Sequence, residues 1–269
     1  MTIPHDTIDK LEHTWHAIGN LCADLDEPQW CLATDLPGWS VKDNVSHLIG
    51  TERMLQGLAR TDHRSPAFEY LKNPIGESNE HEVDARRSTT GAAVLAEWNE
   101  LVALRLATLR SADQAYYEVE AMTPTGMGTV ADFLHIRVLD SWAHEQDIRR
   151  ALDRPGGFDD PSAAHTIDRL IRTLPIVIGK RAATPEGAAV TVEITGPVSR
   201  RLTYEVSGGR AGLVDAATEP AVAVIHLDCE VFAILALGRR TAADLTDRIV
   251  IEGDAELGRR VVDQLNMMI

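Results

Sequence analysis

The stretch FLHIRVLDSWAHEQDIRRAL, residues 133–152, decides the fold, because it has the pattern of a buried helix and also carries ionisable side chains. At roughly 100° per residue, five side chains share one sector about 80° wide: Phe133, Arg137, Asp140, His144 and Asp147. Apolar residues such as Leu134, Val138 and Trp142 occupy most other directions. Buried charges are costly unless they pair with each other or bind a metal. The stretch therefore predicts a central helix of a bundle with an internal polar or metal site.

The first half of the chain shows three further helical patterns. Apolar residues recur every 3 or 4 positions from Ile8 to Leu25, which places them on one face of a helix. Ser40 and Asp43 resemble a capping box that begins a second helix. Residues 60–88 are polar and contain two prolines, which predicts a long crossover with at most short helices. The four predicted helices cover about residues 8–25, 41–58, 90–110 and 130–152. Four helices with one long connection form a bundle.

The second half of the chain has a different composition. All five tryptophans lie before residue 143, and strand-like alternation begins only after about residue 188. The connector DRPGGFDDPS, residues 153–162, carries two Pro and two Gly. We therefore predict an α+β protein of two domains, a helical bundle over 1–156 and a smaller α+β domain over 157–269. The second domain is predicted to hold strands near 190–194, 202–206, 221–227 and 248–252, and helices over 230–237 and 255–267.

Charge and cysteine content narrow the class of partner. With 26 Lys and Arg against 41 Asp and Glu, the net charge is −15, which argues against nucleic acid or an anionic membrane. No apolar run could span a bilayer and the N-terminus lacks a signal-peptide pattern, so we expect a cytoplasmic protein. We expect the protein to be a monomer or a homodimer. Its three cysteines show no CxxC spacing. Any metal must therefore be held by His and carboxylate, and small molecules are the expected partners.

The ionisable column offers a metal site. Asp140 and His144 are four residues apart, so they lie on one helical face, and His47 lies at the edge of the apolar stripe of the second helix. Three ligands of N, O and N type with an open position match a catalytic zinc-like site. The same residues could instead form an internal polar network. Arg137 is expected to pair with Asp140 or Asp147, and Glu52 is either a further ligand or a partner of one.

Two segments carry a resemblance to a known family. PGWSVKDNVSHLIGTE, residues 37–52, and LDSWAHEQDIRRAL, residues 139–152, resemble the N-terminal domain of the mycothiol-dependent maleylpyruvate isomerase family, whose fold is a DinB-like metal-binding four-helix bundle. LALGRR and IVIEGDAELGRRVVDQL, from the last part of the chain, resemble the small sterol-carrier-like domain that closes such proteins. The chain departs from the family at Asp140, where we expect Glu.

The resemblance implies a function as well as a fold. It makes His47, Asp140 and His144 the ligands of a divalent metal, zinc above others, and mycothiol the thiol cosubstrate. It also implies that Arg239 and Arg240 bind carboxylates of the substrate or cofactor, with Arg239 catalytic, although they could equally be a solvated helix end. We expect a thiol S-transferase or isomerase acting on a small electrophile. The alternatives are an apolar-ligand binding protein with a structural metal and a thiol-independent metal hydrolase.

Overall fold

A computed structural model of the chain describes residues 2–266. The chain forms two compact units, the first ending at Gly156 and the second beginning at Gly157. Over the described residues, no helix has both the length and the apolar character needed to cross a membrane.

The first unit is built on four long helices. Its helices are α1 (His5–Cys22), α2 (Glu27–Trp30), α3 (Val41–Leu55), α4 (Pro74–Asp84), α5 (Gly91–Ser111), α6 (Gln114–Glu118) and α7 (Val130–Ala151). A hairpin of β1 (Glu120–Thr123) and β2 (Gly126–Thr129) precedes α7. Helices α1 and α3 each pack against both α5 and α7, so these four helices enclose one core, and α4 packs on α3. The predicted bundle is therefore present.

Tryptophans connect the helices of this core. The rings of Trp15 and Trp98 meet edge to face with centroids 6.3 Å apart. The indole of Trp15 donates to Ser141 Oγ at 3.0 Å, and that of Trp98 donates to the Trp15 carbonyl at 3.2 Å. All three residues are buried. Because each indole N–H finds a partner, the large aromatic area is buried without an unsatisfied donor.

Helix α4, the β1–β2 hairpin and two helix ends of the first unit differ from the sequence prediction. The crossover contains the 11-residue helix α4, which begins where Asn73 Oδ1 accepts from the Gly76 amide and Pro74 fills the first turn. The β1–β2 hairpin lies before residue 188, where no strand was expected. Its four-residue strands are too short for an alternation pattern to stand out. The first helix also ends at Cys22 rather than Leu25, and α3 ends at Leu55 rather than about Leu58.

The second unit is a sheet with helices. It consists of α8 (Pro161–Ile171), α9 (Leu174–Ile176), a π-helical turn (Val177–Arg181), β3 (Ala189–Thr195), β4 (Arg200–Ser207), β5 (Arg210–Val214), β6 (Ala223–Asp228), α10 (Cys229–Ala236), a 3₁₀ segment (Ala242–Arg248), β7 (Val250–Gly253) and α11 (Ala255–Asp263). The strand order is β5-β4-β3-β6-β7, with β3 and β6 parallel and the other neighbours antiparallel. The α+β class is confirmed.

Helix α8, one strand of this sheet and one helix end differ from the sequence prediction, which placed no helix before residue 230 in this unit. Strand β5 follows the Gly208–Gly209 turn, whose positive φ angles of 58° and 72° suit a tight hairpin. The strand RAGLV itself lacks clear alternation, so only its turn marked it. Helix α11 ends at Asp263, short of the predicted end at Met267, and Met267 lies outside the described residues.

Candidate metal centre

Helices α3 and α7 bring together the three predicted ligands. One ligand-capable atom from each of His47, Asp140 and His144 lies within 4.8 Å of the other two. His47 Nε2 is 3.4 Å from Asp140 Oδ2, and His144 Nε2 is 3.7 Å from Asp140 Oδ1. Donor atoms around a tetrahedral zinc with bonds of about 2.1 Å lie roughly 3.4 Å apart. The three side chains are therefore close enough together to hold one small ion.

The caps of the two helices set this geometry. Ser40 and Asp43 form a reciprocal capping box that begins α3, and His47 follows two turns later. Thr129 and Asp132 form the equivalent box at the start of α7. These side-chain hydrogen bonds fix where each helix begins, and the packing of α3 against α7 then brings the candidate ligands together.

Asn44, one turn before His47, orients His144. The Asn44 side-chain amide donates to the Ser40 carbonyl at 2.9 Å, which leaves its Oδ1 as the acceptor for His144 Nδ1 at 2.7 Å. With its proton on Nδ1, His144 presents the Nε2 lone pair toward Asp140. Ligating histidines commonly have such a partner on the other ring nitrogen. Sequence reasoning missed Asn44; its only signal was its place one helical turn before His47.

Trp39 lies against both imidazoles. Its ring centroid is 5.2 Å from that of His47 and 5.9 Å from that of His144. Its indole N–H donates to Glu80 Oε2 at 2.9 Å, and the other oxygen of the buried Glu80 accepts from the Tyr70 hydroxyl at 2.9 Å. The turn before Trp39 needs glycine, because Gly38 has a φ of 76° and a Cβ there would lie 2.3 Å from the Tyr70 ring.

The protonation states suit metal binding. Burial lowers the pKa of His47, and this outweighs the opposite effect of Asp140. Burial alone would raise the pKa of Asp140, but the charge of Arg137 and the two imidazoles hold it well below the usual range. At neutral pH the site therefore contains a neutral His47 and an ionised Asp140, which are the forms that coordinate an ion.

The donor set fits a divalent ion. Two imidazoles and one carboxylate suit zinc and its neighbours in the transition series. Within the described part of the chain, the buried Nδ1 of His47 has no hydrogen-bond partner, so this ring depends on contacts at Nε2 and on Trp39 for its orientation. The residues present can thus hold the metal that the fold family implies.

A cavity of about 330 Å³ opens beside His47. It lies between α3 and α4 and is lined by apolar side chains, among them Met54 and Ile75, together with Arg60 and Glu82. Gly50 lets the two helices approach, because a Cβ there would lie 2.6 Å from the Glu82 Cβ. Of the three clustered residues, His47 lines this cavity.

The remaining predicted residues have distinct positions. Glu52 is engaged in ion pairs with Arg105 and Arg137, so neither of its oxygens is presented to the cluster as a free ligand. Arg137 pairs with Asp140, one of its two expected partners. Arg239 and Arg240 lie in the second unit, after the Gly238 turn that follows α10, and line a cavity of about 530 Å³ there.

Comparisons with known proteins agree with this architecture. The family model described as the mycothiol maleylpyruvate isomerase N-terminal domain matches residues 11–149, which contain all three clustered residues. No curated protein matches the chain.

Two solved structures share the fold. The crystal structure of the mycothiol-dependent maleylpyruvate isomerase has a TM-score of 0.60 at 17% identity, with 94% of this chain and 96% of that chain covered. A variant of that enzyme with one histidine changed to alanine has a TM-score of 0.56 with the same identity and coverage. On the family match over more than half of its length, the chain belongs to the mycothiol maleylpyruvate isomerase N-terminal domain family.

Proposed function

We propose that the protein is a metal-dependent enzyme that uses a low-molecular-weight thiol, mycothiol, to isomerise a small electrophile or to transfer sulfur to it. The observation that carries the proposal is the cluster of His47, Asp140 and His144, in which His47 lines a cavity and the lowered pKa values of His47 and Asp140 favour the forms that bind an ion. The name of the structural neighbour, a mycothiol-dependent maleylpyruvate isomerase, supports both the thiol and the reaction class.

Each side chain of the cluster has a role in this proposal. His47 and His144 each supply a ring nitrogen and Asp140 supplies an oxygen, with zinc the proposed ion. Three protein ligands leave a position for an incoming group. A divalent ion held by these three residues would lower the pKa of a thiol bound at that open position, so that the thiol would be a thiolate at neutral pH. Asn44 and Trp39 hold the imidazoles in place while the thiol enters.

The cysteines of the chain support an external source of sulfur. Burial raises the pKa of Cys22 to about 12 and also raises that of Cys229. Cys31 is exposed, but it lies outside the clustered residues. A nucleophilic sulfur must therefore come from a cosubstrate. Low-molecular-weight thiols are kept reduced in the cytoplasm, where we expect this enzyme to act.

The reaction balances with the thiol alone. The thiolate forms a C–S bond to an electrophilic carbon of a conjugated substrate, and the electron pair of the C=C bond moves onto the conjugated carbonyl. Rotation about the resulting single bond, followed by return of the electron pair and cleavage of the C–S bond, releases an isomer and the thiolate. Protonation of the carbon instead retains the S-conjugate. Arg239, with Arg240, is proposed to bind a carboxylate of the substrate or cofactor.

Metal analysis is the first test. Purified wild-type protein should contain about one divalent ion per chain, and the variants His47→Ala and Asp140→Ala should contain none. Replacing the ion by cobalt and titrating with mycothiol should produce a sulfur-to-cobalt absorption band, and a Cys31→Ser variant should produce the same band because the sulfur is external. Absence of metal from wild-type protein after reconstitution would overturn the proposal.

The same titration separates the alternatives. A bound ion with no sulfur band would favour an apolar-ligand binding protein with a structural metal. Turnover of an electrophile at the same rate with and without thiol would favour a metal hydrolase that uses bound water. Thiol-dependent formation of an isomer or an S-conjugate would support the proposed enzyme and distinguish between its two reaction types.

A further inference from the structure

Behind the cluster, four side chains form a row of alternating charge that we call the charge row: Arg105, Glu52, Arg137 and Asp140. Arg105 Nε is 2.9 Å from Glu52 Oε2, Arg137 Nε is 2.7 Å from Glu52 Oε1, and Arg137 Nη1 is 2.6 Å from Asp140 Oδ2. The first three side chains are at most 4% exposed, and that of Asp140 is 24% exposed. The row runs from α5 through α3 to α7 and ends at a candidate ligand.

The contacts within the charge row are specific. Each oxygen of Glu52 accepts from a different arginine, so Glu52 restrains both guanidinium groups. The far end is anchored too, because Arg105 Nη1 donates to Gln56 Oε1 at 3.0 Å and the Gln56 amide donates to Thr108 Oγ1 at 2.9 Å. A guanidinium with two edges engaged has little rotational freedom. Arg137 is therefore a rigid donor to Asp140.

The row engages one oxygen of Asp140. Oδ2 accepts from Arg137 and is also the oxygen that lies 3.4 Å from His47 Nε2, while Oδ1 lies 3.7 Å from His144 Nε2. The four formal charges of the row cancel, so the negative charge of Asp140 is already compensated by Arg137 before any ion binds. A centre of this kind keeps more of the charge of its ion available for an anionic ligand such as a thiolate.

We propose that Glu52 and Arg105 are positioning residues that act through Arg137 on Asp140, so that Asp140 offers the ion one oxygen in a defined orientation and the centre stays cationic enough to favour an anionic thiol. This inference rests on the proposed function, because it takes the cluster to be the metal site. It assigns a role to Glu52 and Arg105, neither of which belongs to the cluster.

The test compares two isosteric substitutions. Glu52→Gln removes the charge that holds Arg137. Glu145→Gln is the matched control. Like Glu52, Glu145 is buried, and its Oε1 lies 2.7 Å from the Nε of an arginine, Arg149, which is also on α7. Zinc affinity is measured by competition with a chelator, and coordination geometry from the absorption spectrum of the cobalt-substituted protein.

Glu52→Gln should weaken zinc binding about 10- to 100-fold and shift the cobalt spectrum. Glu145→Gln should lower thermal stability without changing either readout. Arg105→Lys, whose ammonium can keep the contact with Glu52 but not the one with Gln56, should weaken zinc binding less than Glu52→Gln does. Should Glu52→Gln fail to fold, Arg137→Lys is the second variant, since one ammonium cannot reproduce both contacts of the guanidinium, and it should weaken zinc binding in the same way.

The outcomes separate this inference from the proposed function. Equal zinc affinity in Glu52→Gln and wild type, or equal losses in Glu52→Gln and Glu145→Gln, would overturn the positioning role while the metal and thiol chemistry stood. If Glu52→Gln shows the expected loss of zinc affinity but the cobalt-substituted wild type shows no sulfur band, the positioning role would be supported and the proposed use of a thiol would be contradicted. Wild-type protein that binds no divalent ion would contradict both.

Discussion

The two units of the chain differ in what their cores contain. Over residues 2–266, every buried Asp, Glu, Lys, Arg and His lies in the first unit. The buried polar side chains described in the second unit are the hydroxyls of Ser162, Thr166, Thr184, Thr191 and Tyr204 and the thiol of Cys229. The contrast is clearest between helix α7, which buries Arg137 and His144, and α10, whose sequence CEVFAILA is almost entirely apolar.

This difference indicates where the chemistry is. Burying a charge is unfavourable unless it is paired, and hydrophobic side chains of similar size would give an equally stable core. The second unit follows that simpler solution. The first unit instead retains pairs across three helices, and the pairs end at Asp140, a candidate metal ligand. Its polar core is best explained by the demands of the site rather than by stability.

The largest expected effect is the loss of the ion from the first unit. His144→Ala removes one of three ligands, so the purified variant should contain no stoichiometric metal and should lose its thiol-dependent activity, while circular dichroism shows the helices retained. His135→Ala is the control, because His135 lies on the same helix but outside the cluster. Full metal content in His144→Ala would exclude this residue as a ligand.

The next largest effect is on the free energy of unfolding when a buried polar group is removed from each unit. Glu52→Ala leaves Arg105 and Arg137 buried without their shared carboxylate, which should lower the free energy of unfolding of the metal-free protein by about 3–5 kcal/mol. In the second unit, Thr191 Oγ1 is 2.9 Å from Thr203 Oγ1, and Thr191→Val should cost only about 1 kcal/mol. Chemical denaturation measures both. Equal costs would remove the contrast between the two cores.

The smallest effect concerns alkaline pH and the second unit. Burial raises the pKa of Tyr204 from 10.0 to about 12. Between these values an unfolded tyrosine is ionised while Tyr204 stays neutral, so the stability present below about pH 10 is lost as the pH rises toward 12. From about pH 9 to pH 11, wild-type protein should lose about 1 kcal/mol more unfolding free energy than Tyr204→Phe. Parallel pH profiles would show that Tyr204 ionises normally.

The main helices could be predicted from sequence because their signals are local. The capping residues Ser40 and Asp43 located the start of α3, and the apolar periodicity around residues 133–152 located α7, predicted over 130–152 and observed over Val130–Ala151. The bounds of helix α4 could not be predicted, beyond a crossover with at most short helices, because α4 lies in a polar, proline-containing segment. Its Asn73 cap followed by Pro74 was the usable signal.

The site was predictable only where its residues share a helix or a motif. Asp140 and His144 are related by one helical turn, and His47 follows a recognisable tryptophan turn. The partners around them come from distant positions: Asn44 is 100 residues from His144, and Arg105 is 53 residues from Glu52. No periodicity in the sequence relates such pairs, since the packing of one helix against another decides them. For the same reason, the two interpretations of Glu52 could not be separated before the fold was known.

The position of Trp39 beside both imidazoles allows the proposed metal site to be followed by tryptophan fluorescence. The other four tryptophans, Trp15, Trp30, Trp98 and Trp142, are at most 2% exposed, whereas Trp39 is partly exposed and stands within 6 Å of both imidazole centroids. Its emission should therefore lie at the red edge of the protein fluorescence. An open-shell ion such as cobalt, held by those imidazoles, would quench that part of the spectrum first. The tryptophan emission of the unlabelled protein would therefore report occupancy of the proposed metal site.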